Sequence, residues 1–135
     1  VAADAAAVCL VVSDRIAQGR GLALLGGTTV GGNPEEPGLA PLAAIRRIWN
    51  GSALQQAEIM EAYAVQALAV IDGAGLDPRI VNPGGGGLAR GHPIGASGAI
   101  LAVRLFHGLQ KGRGLAAIAA AGGIGAALLV EASGA

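Results

Sequence analysis

The chain has 135 residues, the size of one domain with one core, and its 30 alanines and 24 glycines make up 40% of it. A hydrophobic share of 53% excludes a disordered chain, and glycines without a period of three exclude collagen. Nine basic residues balance nine acidic ones with no run of like charge, which excludes a generic binder of nucleic acid or anionic membrane.

The elements follow in chain order. Ala5 to Val12 is a continuous apolar run with Val8, Val11 and Val12 β-branched, and it predicts a buried strand. Cys9 lies inside that run, where a buried thiol is usually inert. As a single cysteine it can form neither an internal disulfide nor a CxxC metal site. The single cysteine fits a reducing compartment. A cytoplasmic location is expected, with no basic region or cleavage pattern of a signal peptide in the first residues. A short helix is predicted near Asp14 to Gln18 and a strand over Gly21 to Val30. A turn-rich loop runs from Gly31 to Gly38, followed by a helix from Pro41 to Trp49 with proline in its first turn. Leu54 to Met60 is ambiguous, because Gln55 and Gln56 interrupt a possible strand. Glu61 to Ile71 is apolar nearly all round and predicts a buried helix closed by Gly73 and Gly75. A short strand at Arg79 to Asn82 precedes the run Pro83-Gly84-Gly85-Gly86-Gly87, and Ile94 to Gln110 predicts a second buried helix.

Gly114 to Val130 is seventeen residues without a charge, just short of the roughly 20 that span a bilayer. With Gly122, Gly123 and Gly125 at its centre it reads as two buried strands, Leu115 to Ala120 and Ala126 to Glu131, joined by a glycine turn, so no membrane span is expected. Apolar strands alternating with apolar helices predict an α/β layered sandwich, a sheet covered by buried helices, with residues 1–135 as one domain.

Two segments could carry chemistry. Asn82 to Gly98 is a glycine loop leading into a helix, with His92 held between Gly91 and Pro93. A histidine there can take a proton, donate to a developing oxyanion, or simply cap a turn. Glycine loops also suit phosphates, but the chain has no GxxxxGK[ST], and Gly84 to Gly87 does not form a GxGxxG at its first strand. His107 lies mid-helix and reads as a packed or surface residue. The second segment is Ala119-Ala120-Ala121-Gly122-Gly123-Ile124-Gly125. Its bare backbone permits either close approach of a ligand or a tight hairpin.

Together these residues are similar to the thiolase superfamily. Asn82 to Gly98 resembles that family's histidine motif, N-x-x-G-G-x-x-A-x-G-H-P-x-G-A-S-G. Glu58 to Ala64 resembles its E-I-N-E-A-F-A, and Asp4 to Val12 its D-G-A-A-A-V-V-L. Gly114 to Glu131 resembles its closing G-L-A-x-x-C-x-G-G-G-x-G and the apolar strand that follows. The likeness covers nearly the whole chain and corresponds to the family's C-terminal domain, so a mixed sheet is implied.

The resemblance implies acyl-CoA chemistry: thiolysis of a 3-ketoacyl-CoA or the reverse Claisen condensation. Coenzyme A enters as substrate, with no other cofactor and no metal. It implies that His92 activates a nucleophilic cysteine and helps form an oxyanion hole. Gly91, Ala121, Gly122 and Gly123 would line the substrate. Two polar groups of the pattern are gone. Met60 stands where the family has the asparagine that holds a water. Ala119 stands where it has the cysteine that moves the α-carbon proton. Ala121 replaces the first glycine of the triple, and fewer residues than the pattern has separate Ile45 from Glu58. The nucleophilic cysteine of the family sits in an N-terminal domain that has no counterpart in these 135 residues. The implied partner is a domain of that type, or a homo- or hetero-oligomer. The alternative is a non-catalytic thiolase-like subunit that stabilises a complex or binds acyl-CoA.

Overall fold

The computed structural model describes residues 2–132; Val1 and residues 133–135 lie outside it. Four strands form one mixed sheet in the order β1-β4-β3-β2: β1 (Leu22–Gly31), β2 (Gln56–Ile59), β3 (Gly112–Ala120) and β4 (Ile124–Ala132). β4 pairs antiparallel with β1 and β3, while β2 pairs parallel with β3, Ile59 opposite Ala117. The uncharged run Gly114 to Val130 is the β3–β4 hairpin, turning at Gly122 and Gly123, both with φ near +80°. Among the described residues no helix is long and apolar enough to cross a membrane.

The sheet alternates as a pleat must. Leu115, Ala117, Ala127 and Leu129 point to one face, where they meet Ala44 and Ile45 of α2 (Ala40–Ile48) and Val70 of α3 (Ala64–Ala74). Ala116, Val130 and Ala132 point to the other and meet Leu101 and Leu105 of α5 (Ser97–Gly108). This is the expected layered α/β sandwich. α1 (Asp14–Ala17) and α4 (Gly87–Arg90) are single turns.

α5 lies against β2 and β3 and leaves the β1 side of its face open. A hollow of about 510 Å³ remains there between Thr28, Gly98, Leu101, Ile118, Ala126 and Leu128. The two long helices are correspondingly buried on one side only. Val65 and Leu68 of α3 and Phe106 of α5 are exposed, which corrects the expectation of fully buried helices.

Two further strand expectations need correction. Ala5 to Val12 is not a buried strand. It pairs with none of the four strands, and Val8 and Leu10 are each 89% exposed. An apolar run becomes a buried strand only beside another strand, and among the described residues the bridge near this segment joins Ala2 to His92. Cys9 is accordingly exposed. Arg79 to Asn82 is not a strand either. Pro78, with its fixed φ and no N–H, starts a 3₁₀ turn over Pro78–Ile80, and only Val81 bridges to Ala57. Asp77 caps that turn, and the hydrogen bond from the Arg79 guanidinium holds its exposed carboxyl below the usual range. The ambiguous segment resolves into β2, fully buried despite Gln56 and Glu58, so the shortened stretch after Ile45 still places a strand there.

Gly125 shows how tightly the hairpin is held. A Cβ at this position would meet the backbone of Ala40 and Pro41 at the start of α2, which cannot move aside. Gly125→Ala is expected to lower stability by about 1–3 kcal/mol in urea unfolding, whereas Gly26→Ala, which meets nothing within 4 Å, should lie within about 0.5 kcal/mol of the parent.

Candidate active site around His92

The site forms at the C-terminal ends of the parallel pair β2–β3, where an α/β sheet offers its crevice. Met60 leaves β2 with its N–H donated to the Ala117 carbonyl at 2.9 Å. Asn82 then ties the glycine loop to the same strand end. Its side-chain oxygen accepts from Ile59 N–H at 2.9 Å, and its amide donates to the Ile59 carbonyl at 2.9 Å and to Glu61 Oε1 at 2.6 Å. The side chain thus acts as one more residue of strand beside β2. Asn82 has φ +46°, a conformation asparagine tolerates better than most residues.

Glu61 explains the glycines that follow. Its second carboxylate oxygen accepts from Leu88 N–H at 3.0 Å. A Cβ on Gly86 would fall on that carboxylate, and one on Gly87 would lie 3.0 Å from the Glu61 carbonyl oxygen. Gly86 and Gly87 are therefore packing requirements of a close approach. The Leu88 amide of this loop is thus bonded to an acid of the same chain.

From this loop the chain passes through Gly91, at φ +92°, to His92. His92 is half-buried and borders a cavity of about 230 Å³ with Asp4, Met60, Glu61, Ser97 and Arg104. Its Nδ1 lies 2.7 Å from Ser97 Oγ, and Ser97 Oγ also donates to the Pro93 carbonyl at 3.0 Å. The imidazole is held on one side while Nε2 carries none of the hydrogen bonds described.

Under the cavity lies a buried ion pair. Glu58, with its side chain fully buried, accepts from Arg104 Nε at 2.5 Å and from Gln56 Nε2 at 2.8 Å. This pair joins β2 to α5, whose first residue is Ser97.

The structure brings Met60, Gly91 and His92 together around one cavity. Ala119 is half-buried and packs against the apolar cluster that contains Met60 and Leu101, without lining the cavity. Ala121 and Gly122 are exposed on the β3–β4 turn. Gly123 is buried beneath them and accepts from Gly32 N–H at 2.7 Å, so the turn is braced against the loop after β1. His107 is exposed on α5 and stacks edge-on against Phe106. Sequence reading gave no role to Asn82, Glu61, Ser97 or the Glu58–Arg104 pair. Ser97 is five residues from His92 within the same motif, a spacing that reaches across one helical turn. Nothing in the spacing of Glu58 and Arg104, 46 residues apart, signals that they meet.

Residues 21–132 match the model of the family described as "Thiolase, C-terminal domain". The chain belongs to this family. It is 42% identical to the acetyl-CoA acetyltransferase of Shinella zoogloeoides and 36% identical to a beta-ketothiolase of Cupriavidus necator, each over 95% of this chain and 36% of the relative. Its fold superposes on the crystal structure of the Acat5 thiolase of Ascaris suum in complex with coenzyme A, with a TM-score of 0.83 and 35% identity over 89% of this chain and 34% of that one. The chain thus spans about a third of the length of these thiolases.

The ion pair generates a prediction. Arg104→Met leaves a carboxylate buried without its partner and should cost about 3–5 kcal/mol in urea unfolding. The double variant Glu58→Leu/Arg104→Met should regain most of that loss. An equal loss in both would show that the pair contributes through packing alone.

Proposed function

We propose that residues 1–135 act as the His-bearing C-terminal unit of a thiolase-type acyl-CoA acyltransferase, in the cytoplasm. Its reaction class would be 3-ketoacyl-CoA thiolysis or the reverse condensation, with coenzyme A as substrate. A thiolase N-terminal-type domain, in a partner chain or outside these residues, supplies the nucleophilic cysteine. The observation that carries the reading is the His92 ring, bonded at Nδ1 and bordering a cavity, with Nε2 outside that bond. In this reading Nε2 takes the proton of the partner's thiol and later donates to the oxyanion of the acyl group. Gly91 and the Ala121-Gly122-Gly123 turn are the substrate-lining backbone. The uncovered face beside α5 and the exposed Val8, Leu10 and Val11 support a large apolar partner surface.

Two positions favour a second reading, a thiolase-like subunit that stabilises a complex or holds acyl-CoA without turnover. The Met60 thioether is 7% exposed in an apolar cluster and cannot hold a water as an asparagine amide does. The Ala119 methyl moves no proton.

The two readings separate by reconstitution. The chain alone is expected to give no turnover of acetoacetyl-CoA with CoA. Co-expressed with a thiolase-type N-terminal half, it should form a stoichiometric complex whose cysteine is acylated by acetyl-CoA, detected by intact mass. His92→Ala in that complex should abolish acylation, and unchanged acylation would refute the role of His92. Met60→Asn/Ala119→Cys should raise thiolysis by about 10²-fold or more under the catalytic reading. No gain would favour the structural one.

A further inference from the structure

We infer that Ser97 is a positioning residue for His92, a hydroxyl rotor that supports the imidazole in each of its protonation states. The inference rests on the reading of His92 as the site's acid and base.

A serine hydroxyl has one proton and two lone pairs, so it can donate once and accept at the same time. Ser97 is buried, and its Oγ has two partners within reach: His92 Nδ1 at 2.7 Å and the Pro93 carbonyl at 3.0 Å. The position of the hydroxyl proton decides what the ring can do. With the proton on the Pro93 carbonyl, Oγ accepts from Nδ1–H, and Nε2 has a free lone pair. With the proton turned toward the ring, Oγ donates to Nδ1, and Nε2 carries the hydrogen. The Pro93 carbonyl already accepts the N–H groups of Ala96 and Ser97, each at 2.9 Å. It is therefore a shared acceptor, which stays paired when the hydroxyl turns away from it.

Fixed partners lack this property. A carboxylate only accepts and would bias the ring toward Nδ1–H; a backbone N–H only donates and would bias it toward Nε2–H. The proton balance of a base step follows. The partner's S–H bond breaks, Nε2–H forms, and the imidazolium places its Nδ1–H on Ser97 Oγ while the hydroxyl proton points to Pro93. When Nε2 returns the proton, the ring goes back to its Nδ1–H form with the hydroxyl still on Pro93, and only the Nε2–H tautomer needs the hydroxyl turned. Ser97 itself touches no reacting atom.

Asp4, Glu61, Arg90 and Arg104 also line this cavity: Arg104 is engaged with Glu58, Glu61 with Asn82 and Leu88, and Arg90 with the Gly84 carbonyl, while Asp4 is exposed. Of the hydrogen bonds to the His92 ring among the described residues, Ser97 supplies the one recorded.

The test is imidazole ¹⁵N and ¹H NMR on the full chain, with His92 assigned against His107 through His92→Ala. Three proteins are compared: the parent, Ser97→Ala and Ser97→Thr. At about pH 5, where an ordinary imidazole is charged, the parent and Ser97→Thr should show a His92 Nδ1–H proton protected from solvent exchange. Ser97→Ala should lose that protection at least tenfold. Near pH 8 the ¹⁵N shifts should show the tautomer ratio of the parent preserved in Ser97→Thr and shifted in Ser97→Ala. Backbone amide spectra serve as the check that each variant folds. If Ser97→Ala keeps both signatures in a folded chain, the inference is overturned, whatever the reconstituted complex does. If Ser97→Ala unfolds, Ser97→Thr decides the matter: loss of the protected proton in that variant also overturns it. Absence of acyl transfer in the complex would instead overturn the catalytic reading and leave these spectra unchanged.

Discussion

The side chain of Asn82 is the joint on which the site depends. Two hydrogen bonds to the backbone of Ile59 make it a continuation of the sheet, and a third goes to Glu61. Because Asn82 is buried, an unmade bond here would leave polar groups without water, at about 1–3 kcal/mol each. Everything downstream takes its position from this joint. Glu61 is aimed at the loop, the loop needs glycine to pass it, Leu88 donates to it, and Gly91 delivers His92 to the cavity.

A second polar connection fixes the other wall. Glu58 lies two residues before Met60 on β2, and its bond to Arg104 sets where α5 rests on the sheet. Ser97 begins that helix, so the ion pair also sets where the hydroxyl meets the His92 ring. A carboxylate removed from water at this depth stabilises little by itself, but it leaves few alternative seats for the helix. Registry and chemistry are therefore linked through β2, the shortest strand of the sheet.

The parts of the fold that follow from local pattern were legible. Leu115 to Ala120 and Ala126 to Glu131 are strands because an uncharged run broken by Gly122 and Gly123 has no better solution than a buried hairpin. His92 stood out because its motif is contiguous. What escaped was set by contacts distant in sequence. Gln56 and Glu58 obscured β2, since their partner Arg104 lies on another element. Val8, Leu10, Val65 and Leu68 read as interior because hydrophobicity reports a preference for cover and not what supplies it. Nor does sequence separation show that Gly86 and Gly87 lie against Glu61, a contact that requires glycine at both positions.

The exposed apolar run and the half-covered sheet belong together with the chain's share of thiolase length, 36% of the relatives'. An incomplete layer beside the His92 cavity is what the proposed composite site would require. Hydrogen–deuterium exchange of residues 5–12, with and without a thiolase-type N-terminal half, tests this most directly, because these residues pair with no strand among the described residues. Strong protection of their amides in the mixture is expected. Exchange as fast in the mixture as in the chain alone would contradict the composite site.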